Sequence, residues 1–263
     1  MGALRLCKTR SFLLFLLPGI LLGAPLTAAA QQEEPLHALV DSLNNEGSYQ
    51  QAMDLLLPEL QRDPDDYALL WRASEVLANW GRITREDEDL QEQRYEESVD
   101  FARRAVARDS TDAEGWFHLG KALGRLALHR GGKTKVNMSK EVKESFEKAL
   151  EIAPDHPLAL HGLARWHREV ANLSWFLRTA AKIIYGGLPP ASNEQAVELF
   201  QRAIRLQPDN IAHHLELGKT YLEMDEEEKA AAELQKVLEL PVARADDPEW
   251  KEEAEELLEK IRN

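Results

Sequence analysis

The feature that most constrains this chain is a phrase of spaced apolar and small residues that returns along it. Trp116, Leu119, Gly120 and Leu123 open one copy, and Phe146, Ala149 and Pro154 close it. Leu160, Leu163 and Ala164 open the next, which Ala196, Phe200, Ala203 and Pro208 close. His214, Leu217, Gly218 and Tyr221 open a third, followed by Ala230 and Leu234. The large residue and the Leu three places on share one helical face. Gly or Ala beside that Leu lets a second helix approach closely, and the alanines of the second helix do the same from the other side. The closing Pro ends the second helix and fixes the turn into the next copy.

This is the tetratricopeptide pattern, a pair of antiparallel helices per unit, and such units stack into a solenoid with an inner groove. Counting predicts five units, near 33–66, from Tyr67, 113–154, 157–208 and 211–242. Asp247-Pro248 starts a last helix whose Glu and Lys residues suit an end cap. The expected fold class is an all-α, tetratricopeptide-like helical-repeat solenoid with lengthened hairpins and a C-terminal capping helix. Its segments are a signal peptide (1–30), an N-terminal repeat unit (31–66), the core repeats (67–245) and the cap (246–263).

Units two, three and four exceed the usual repeat by about 10, 10 and 20 residues. In unit four Trp166, Val170, Leu173, Leu177, Ala181 and Ile184 continue at helical spacing. The spacing predicts one helix from Leu158 to Tyr185, roughly 40 Å long at ~1.5 Å per residue. Gly186-Gly187 ends it, and Pro189-Pro190 delay the restart to Ser192-Asn193. Trp175 and Phe176 lie beyond the standard helix. They are expected to pack against the insertions of units two and three, to line an apolar pocket with Ile184 and Tyr185, or to form a membrane-facing tip.

Arg5, Lys8 and Arg10, the apolar run Phe12 to Leu22 and Ala28-Ala29-Ala30 read as a signal peptide cleaved before Gln31. An uncleaved anchor is the alternative. The location expected is periplasmic or secreted. Removing residues 1–30 removes three bases and no acids, which takes the net charge from −14 to −17. Such acidity argues against nucleic acid as a partner. The only cysteine, Cys7, lies in the leader, so the mature chain has no thiol chemistry.

No catalytic constellation can be assembled. Gly132-Lys133-Thr134 matches the end of a phosphate-binding loop, but the required earlier Gly falls on Ala127 and the segment follows a helix. His161 and His167 are six apart, so one helix points them about 240° from each other and they share no metal. No enzyme activity, cofactor or metal is expected. The groove offers more. Lys121, Arg165 and Lys219 each follow the small residue of a first helix, and Arg125 and Arg168 lie near them. Low-dielectric walls would focus the field of such a row on an anion. The plain alternative is solvated bases paired with helix neighbours such as Glu169 and Glu223. Glu75, at the equivalent place in unit two, breaks the row.

The block Ala171-Asn172-Leu173-Ser174-Trp175-Phe176 through Ala181-Lys182, then Gly187-Leu188-Pro189-Pro190-Ala191-Ser192, resembles the centre of the regulator of microtubule dynamics family. So do Phe146 to Glu151 before it, and Leu217 to Leu222 and Leu238 to Val242 after it. The resemblance covers roughly 67–261. It implies a helical-repeat fold and a non-enzymatic role, and with the leader it suggests a bacterial exported member. The function expected is a scaffold that holds a protein or peptide with an anionic segment in the groove. The alternative is a lipid-binding or lipid-shuttling protein, with the long hairpin around a phospholipid tail and the groove bases at its phosphate.

Overall fold

The computed structural model describes residues 35–263 apart from Gly186, so the leader expected at 1–30 lies outside the described residues. The first unit pairs α1 (Leu36–Asn45) with α2 (Tyr49–Arg62), and the second pairs α3 (Tyr67–Ile83) with α4 (Glu88–Arg108). The third pairs α5 (Ala113–Arg130) with α6 (Gly132–Ile152). In the fourth, α7 (Pro157–Ala171) pairs with α9 (Asn193–Leu206), and α8 (Trp175–Tyr185) lies between them in sequence. The fifth pairs α10 (Ile211–Leu222) with α11 (Glu227–Glu239), and α12 (Asp247–Arg262) follows. The fold is an all-α solenoid of helix pairs with a distinct C-terminal helix.

Local chemistry sets where these helices start and stop. The Asp66 carboxylate accepts from the Leu69 N–H at 3.0 Å, Asp112 from Glu114 at 2.9 Å and Ser192 from Gln195 at 3.2 Å. Each satisfies an N–H left without a partner in the first turn. At the other end α2, α6 and α9 stop just short of Pro64, Pro154 and Pro208, which cannot continue a helix.

Small residues set how closely the pairs pack. Ala52, Ala102, Ala149, Ala196, Ala203 and Ala230 are fully buried. A Cβ on Gly120 would stand 2.8 Å from the Phe146 ring, and one on Gly218 would stand 2.9 Å from Leu234. First helices adjoin one another in the order α1, α3, α5, α7, α10 and α12 and form the inner layer.

The single long helix expected over Leu158 to Tyr185 is two helices. Asn172 Nδ2 donates to the Arg168 carbonyl at 2.9 Å, Arg178 Nε donates to the Leu173 carbonyl at 2.9 Å, and a second Arg178 nitrogen reaches the Ala171 carbonyl. Arg178 thus takes two carbonyls that continued helix would have bonded, while the Arg168 carbonyl also keeps its bond from the Asn172 N–H at 3.0 Å. The chain turns at Asn172–Ser174 and restarts at Trp175.

The inner layer closes on itself. The Ala245 N–H donates to the Asn45 carbonyl at 3.0 Å, which joins the turn after α1 to the loop before α12. Arg82 near the end of α3 donates to Glu249 at 2.6 Å and pairs with Asp246, and Arg85 also pairs with Glu249. The Asp247 carboxylate accepts from the N–H groups of Ala243 and Arg244 at 2.7 and 2.8 Å and holds that loop in shape. Residues 241–246 therefore form a strap across the groove. No helix among the described residues is long and apolar enough to cross a membrane.

Candidate functional site

Strap and inner helices line a partly open cavity of about 430 Å³. One part of its wall is apolar, built from Phe117, Val136, Val142, Phe146, Trp166 and Leu173. The lengthened α6 supplies much of it. The Trp166 indole N–H donates to the Ser139 carbonyl at 2.8 Å, which fixes that ring against α6.

The rest of the wall is charged, with eight basic residues facing six acidic ones. That surplus of cations lines a cavity in a chain of net charge −14. Lys121 donates to Glu75 at 3.3 Å, Lys135 to Glu169 at 2.6 Å and Lys219 to Glu253 at 2.7 Å. Arg165 approaches Glu216 at 3.4 Å. Arg125 and Arg244, also on the wall, have neither a side-chain hydrogen bond nor an ion pair among the described residues. Burial, and then repulsion from Arg165, push the Arg125 guanidinium down to about 10. It stays charged at neutral pH, favoured only at a distance by Asp246.

Of the five groove bases named from sequence, Lys121, Arg125, Arg165 and Lys219 lie on the cavity wall. Arg168 does not. Its guanidinium is buried against Glu216 at 2.5 Å, and also approaches Glu169 at 3.6 Å. Burial alone would raise the Glu216 carboxyl, but Arg168, Arg165 and Lys219 hold it well below the usual carboxylate range. Glu75, which breaks the row of bases in sequence, is the counter-ion of Lys121.

The apolar pocket expected around Trp175 and Phe176 is not formed by them. Both rings stand on the outer surface, 77% and 63% exposed. The inward face of α8 is instead the one carrying Leu177 and Ala181, and at about 100° per residue Trp175 and Phe176 fall away from it. The side chains of Ile184 and Tyr185 lie outside the described residues. Of the histidines, His161 and His213 lie on the cavity wall. They come from neighbouring first helices and bring their Nδ1 atoms to 2.9 Å. Glu114 lies 3.5 Å from His118 and 3.3 Å from His156. Among the described residues no group of three or more His, Cys, Asp or Glu side chains could hold a metal.

Sequence reasoning missed Arg82, Arg244, Asp246 and Glu249. These lie at the ends of elements or in the strap, outside the repeat phrase. Arg82 does carry a local signal, since it follows Glu75 by seven residues and so shares the inner face of α3.

Paired helices and a layer of first helices facing inward define the class: a helical-repeat scaffold of the tetratricopeptide type. The family model "Regulator of microtubule dynamics protein 1-3" matches residues 36–262, and the chain belongs to that family. It is 28% identical over 239 residues to Regulator of microtubule dynamics protein 1 of Mus musculus, covering 90% of this chain and 77% of that one. To the protein of the same name from Caenorhabditis elegans it is 35% identical over 128 residues, covering 49% of this chain and 57% of that one. Both relatives are animal proteins. Among solved structures, a thermophilic TPR protein of Thermus thermophilus superposes with a TM-score of 0.62 at 16% identity, covering 85% of this chain and 97% of that one. That likeness concerns the fold alone.

Proposed function

We propose that this chain is a scaffold that holds a carboxylate- or phosphate-bearing segment of a protein partner in its cavity. The observation that carries the reading is Arg125, a charged guanidinium on the cavity wall with no ion-pair partner among the described residues. Its planar donors suit a bidentate anion, and Lys121, Arg165 and Lys219 add to the field there. The apolar part of the wall favours a second reading, an amphiphile such as a phospholipid with its anionic group at Arg125 and its tail against Phe146 and Trp166. Export through residues 1–30, and with it a bacterial origin, belongs to this proposal. N-terminal sequencing of the mature chain should then begin near Gln31.

The test compares wild type with Arg125→Gln, both purified without detergent from the native host, by native mass spectrometry. A co-purified polypeptide lost at least roughly tenfold in Arg125→Gln supports the scaffold, since a buried charge-assisted pair contributes on that scale. A bound mass of several hundred daltons released by organic solvent moves the conclusion to the amphiphile. Equal loading of wild type and variant overturns both readings.

A further inference from the structure

The cavity reading leaves α8 unused, and α8 is an unusual helix for this molecule. Its inward face carries Leu177 and the buried Ala181. Trp175, Phe176, Arg178, Thr179 and Lys182 are exposed. A monomeric protein rarely leaves a Trp and a Phe side by side in water, and here the two rings stand edge to face with centroids 6.3 Å apart.

Charge singles out the same place. The chain holds 46 acidic residues, yet none falls between Val170 and Asn193, nor between Gly131 and Lys140. These two acid-free segments adjoin in space. Trp166 of α7 bonds Ser139 of α6 at 2.8 Å, and Glu169 of α7 bonds Lys135 at 2.6 Å. The two helices therefore run antiparallel, which brings the start of α6 beside the junction of α7 and α8. Helices α6 and α8 are also in contact. The segments carry Lys133, Lys135, Lys140, Arg178 and Lys182. Lys135 is committed to an inward ion pair with Glu169, and Lys140 approaches Glu144 at 3.6 Å on the surface, while Lys133, Arg178 and Lys182 are exposed and make no ion pair among the described residues.

We infer that α8 and the start of α6 form a docking face for an anionic membrane surface. A helix with apolar and basic residues on its outer side lies in the headgroup plane with its aromatic rings at the acyl boundary. Trp is favoured there because its ring has an apolar body and a polar N–H. Nearby lysines and arginines add attraction to anionic lipid within a Debye length of the surface. An acidic protein would otherwise be repelled from such a bilayer, so two adjoining segments that carry bases and no acids of their own fit this partner. The helix does not cross the bilayer. This inference is independent of what the cavity holds.

The leader contains no tryptophan, and the first tryptophan of the chain is Trp71. Tryptophan quenching therefore reports contact of the folded repeats with lipid, even where residues 1–30 also bind. The experiment mixes the full chain with vesicles of brominated phosphatidylcholine containing about 30 mol per cent phosphatidylserine, and with vesicles of phosphatidylcholine alone. Quenching is expected on the anionic vesicles, weakening as salt rises. Trp175→Phe keeps vesicle binding and removes most of the quenching. Lys133→Glu with Lys140→Glu and Lys182→Glu should weaken the quenching at least roughly tenfold. All these positions are exposed, so circular dichroism should not change. Sedimentation with vesicles without quenching overturns the inference, because the leader would then hold the membrane alone. Equal quenching on neutral vesicles, or in the charge-reversed variant, also overturns it. So does loss of a bound polypeptide in Trp175→Ala with vesicle contact unchanged, which would assign the face to a protein.

Discussion

Gly162 has no room for a methyl group. A Cβ there would stand 2.4 Å from two atoms of the Phe146 ring, which is itself buried and packed beside Phe117. Gly162→Ala is expected to cost ~1–3 kcal/mol, as other overpacked sites do. In a chain of this size that lowers Tm by roughly 3–10 °C in calorimetry. Gly124 gives the contrast, since its nearest neighbour is Val142 Cγ1 at 3.9 Å, an ordinary contact. Gly124→Ala should gain ~0.5–1 kcal/mol from lower backbone entropy in the unfolded chain. Equal responses at the two glycines would show that close approach is not what selects Gly162. The buried histidine pair contributes to the response to acid above the carboxylate range. Burial, and then the charges of Arg244 and His214, push His213 down to about 3, and burial with His213 beside it holds His161 well below its ordinary 6.5. Above that value both folded and unfolded forms are neutral. Below it the unfolded chain takes up protons that the folded chain refuses, so stability falls as pH drops from 6.5 toward 3. Urea midpoints should therefore decline between these limits in wild type, and less steeply in His213→Gln. A parallel decline would assign the loss to carboxylates such as Glu216.

At the scale of the helix, most of this fold is legible in the sequence because each unit repeats the same requirement. Large residues three apart and a small neighbour satisfy it at 116–154, 157–208 and 211–234, with a closing Pro in the first two, and the helices fall there. The α7–α8 break was not legible from periodicity, because Val170, Leu173, Leu177 and Ala181 keep helical spacing across it. Its signal is chemical: Asn172 and Ser174 bracket the turn, and Asn and Ser bond to backbone more readily than they extend a helix. Four of the five groove bases reached the wall for the reason read from sequence, their place beside the small residue or one turn on. Arg168 did not, because Glu216 of the next unit draws it inward, and pairing across units is invisible in a single repeat. Arg178 holds two carbonyls at the break, and charged hydrogen bonds of this kind contribute ~1.5–3 kcal/mol each. Arg178→Ala should therefore speed hydrogen exchange at 172–182 while leaving α5 and α10 unchanged. Unchanged exchange at the break would mean that core packing of Leu173 and Leu177 holds α8 without the cap.

For the whole molecule, closure is the property that no repeat encodes. An array of helix pairs is held by contacts between neighbours and has no need for its ends to meet. Here Arg82 of the second unit reaches Asp246 and Glu249, and Asn45 of the first turn accepts from Ala245. Arg82 is only 9% exposed. Burial alone would lower its pKa, but Asp246 and Glu249 raise it. Removing both acids would leave a buried charge without compensation, a change that costs ~3–5 kcal/mol in other proteins. The cheaper outcome is for the strap to lift and let water reach Arg82. Asp246→Asn with Glu249→Gln is therefore expected to open the ring and to leave the repeats folded. Hydrogen exchange should then rise together at 44–47 and 241–250, two segments that touch only across the closure. The radius of gyration from X-ray scattering should rise with it, while far-ultraviolet dichroism stays constant. Because the strap also covers the cavity, partner exchange at Arg125 should become faster in the same variant. A rise in exchange at one segment only would show that the ends are held separately, and that the cavity does not depend on the ion pairs of Arg82.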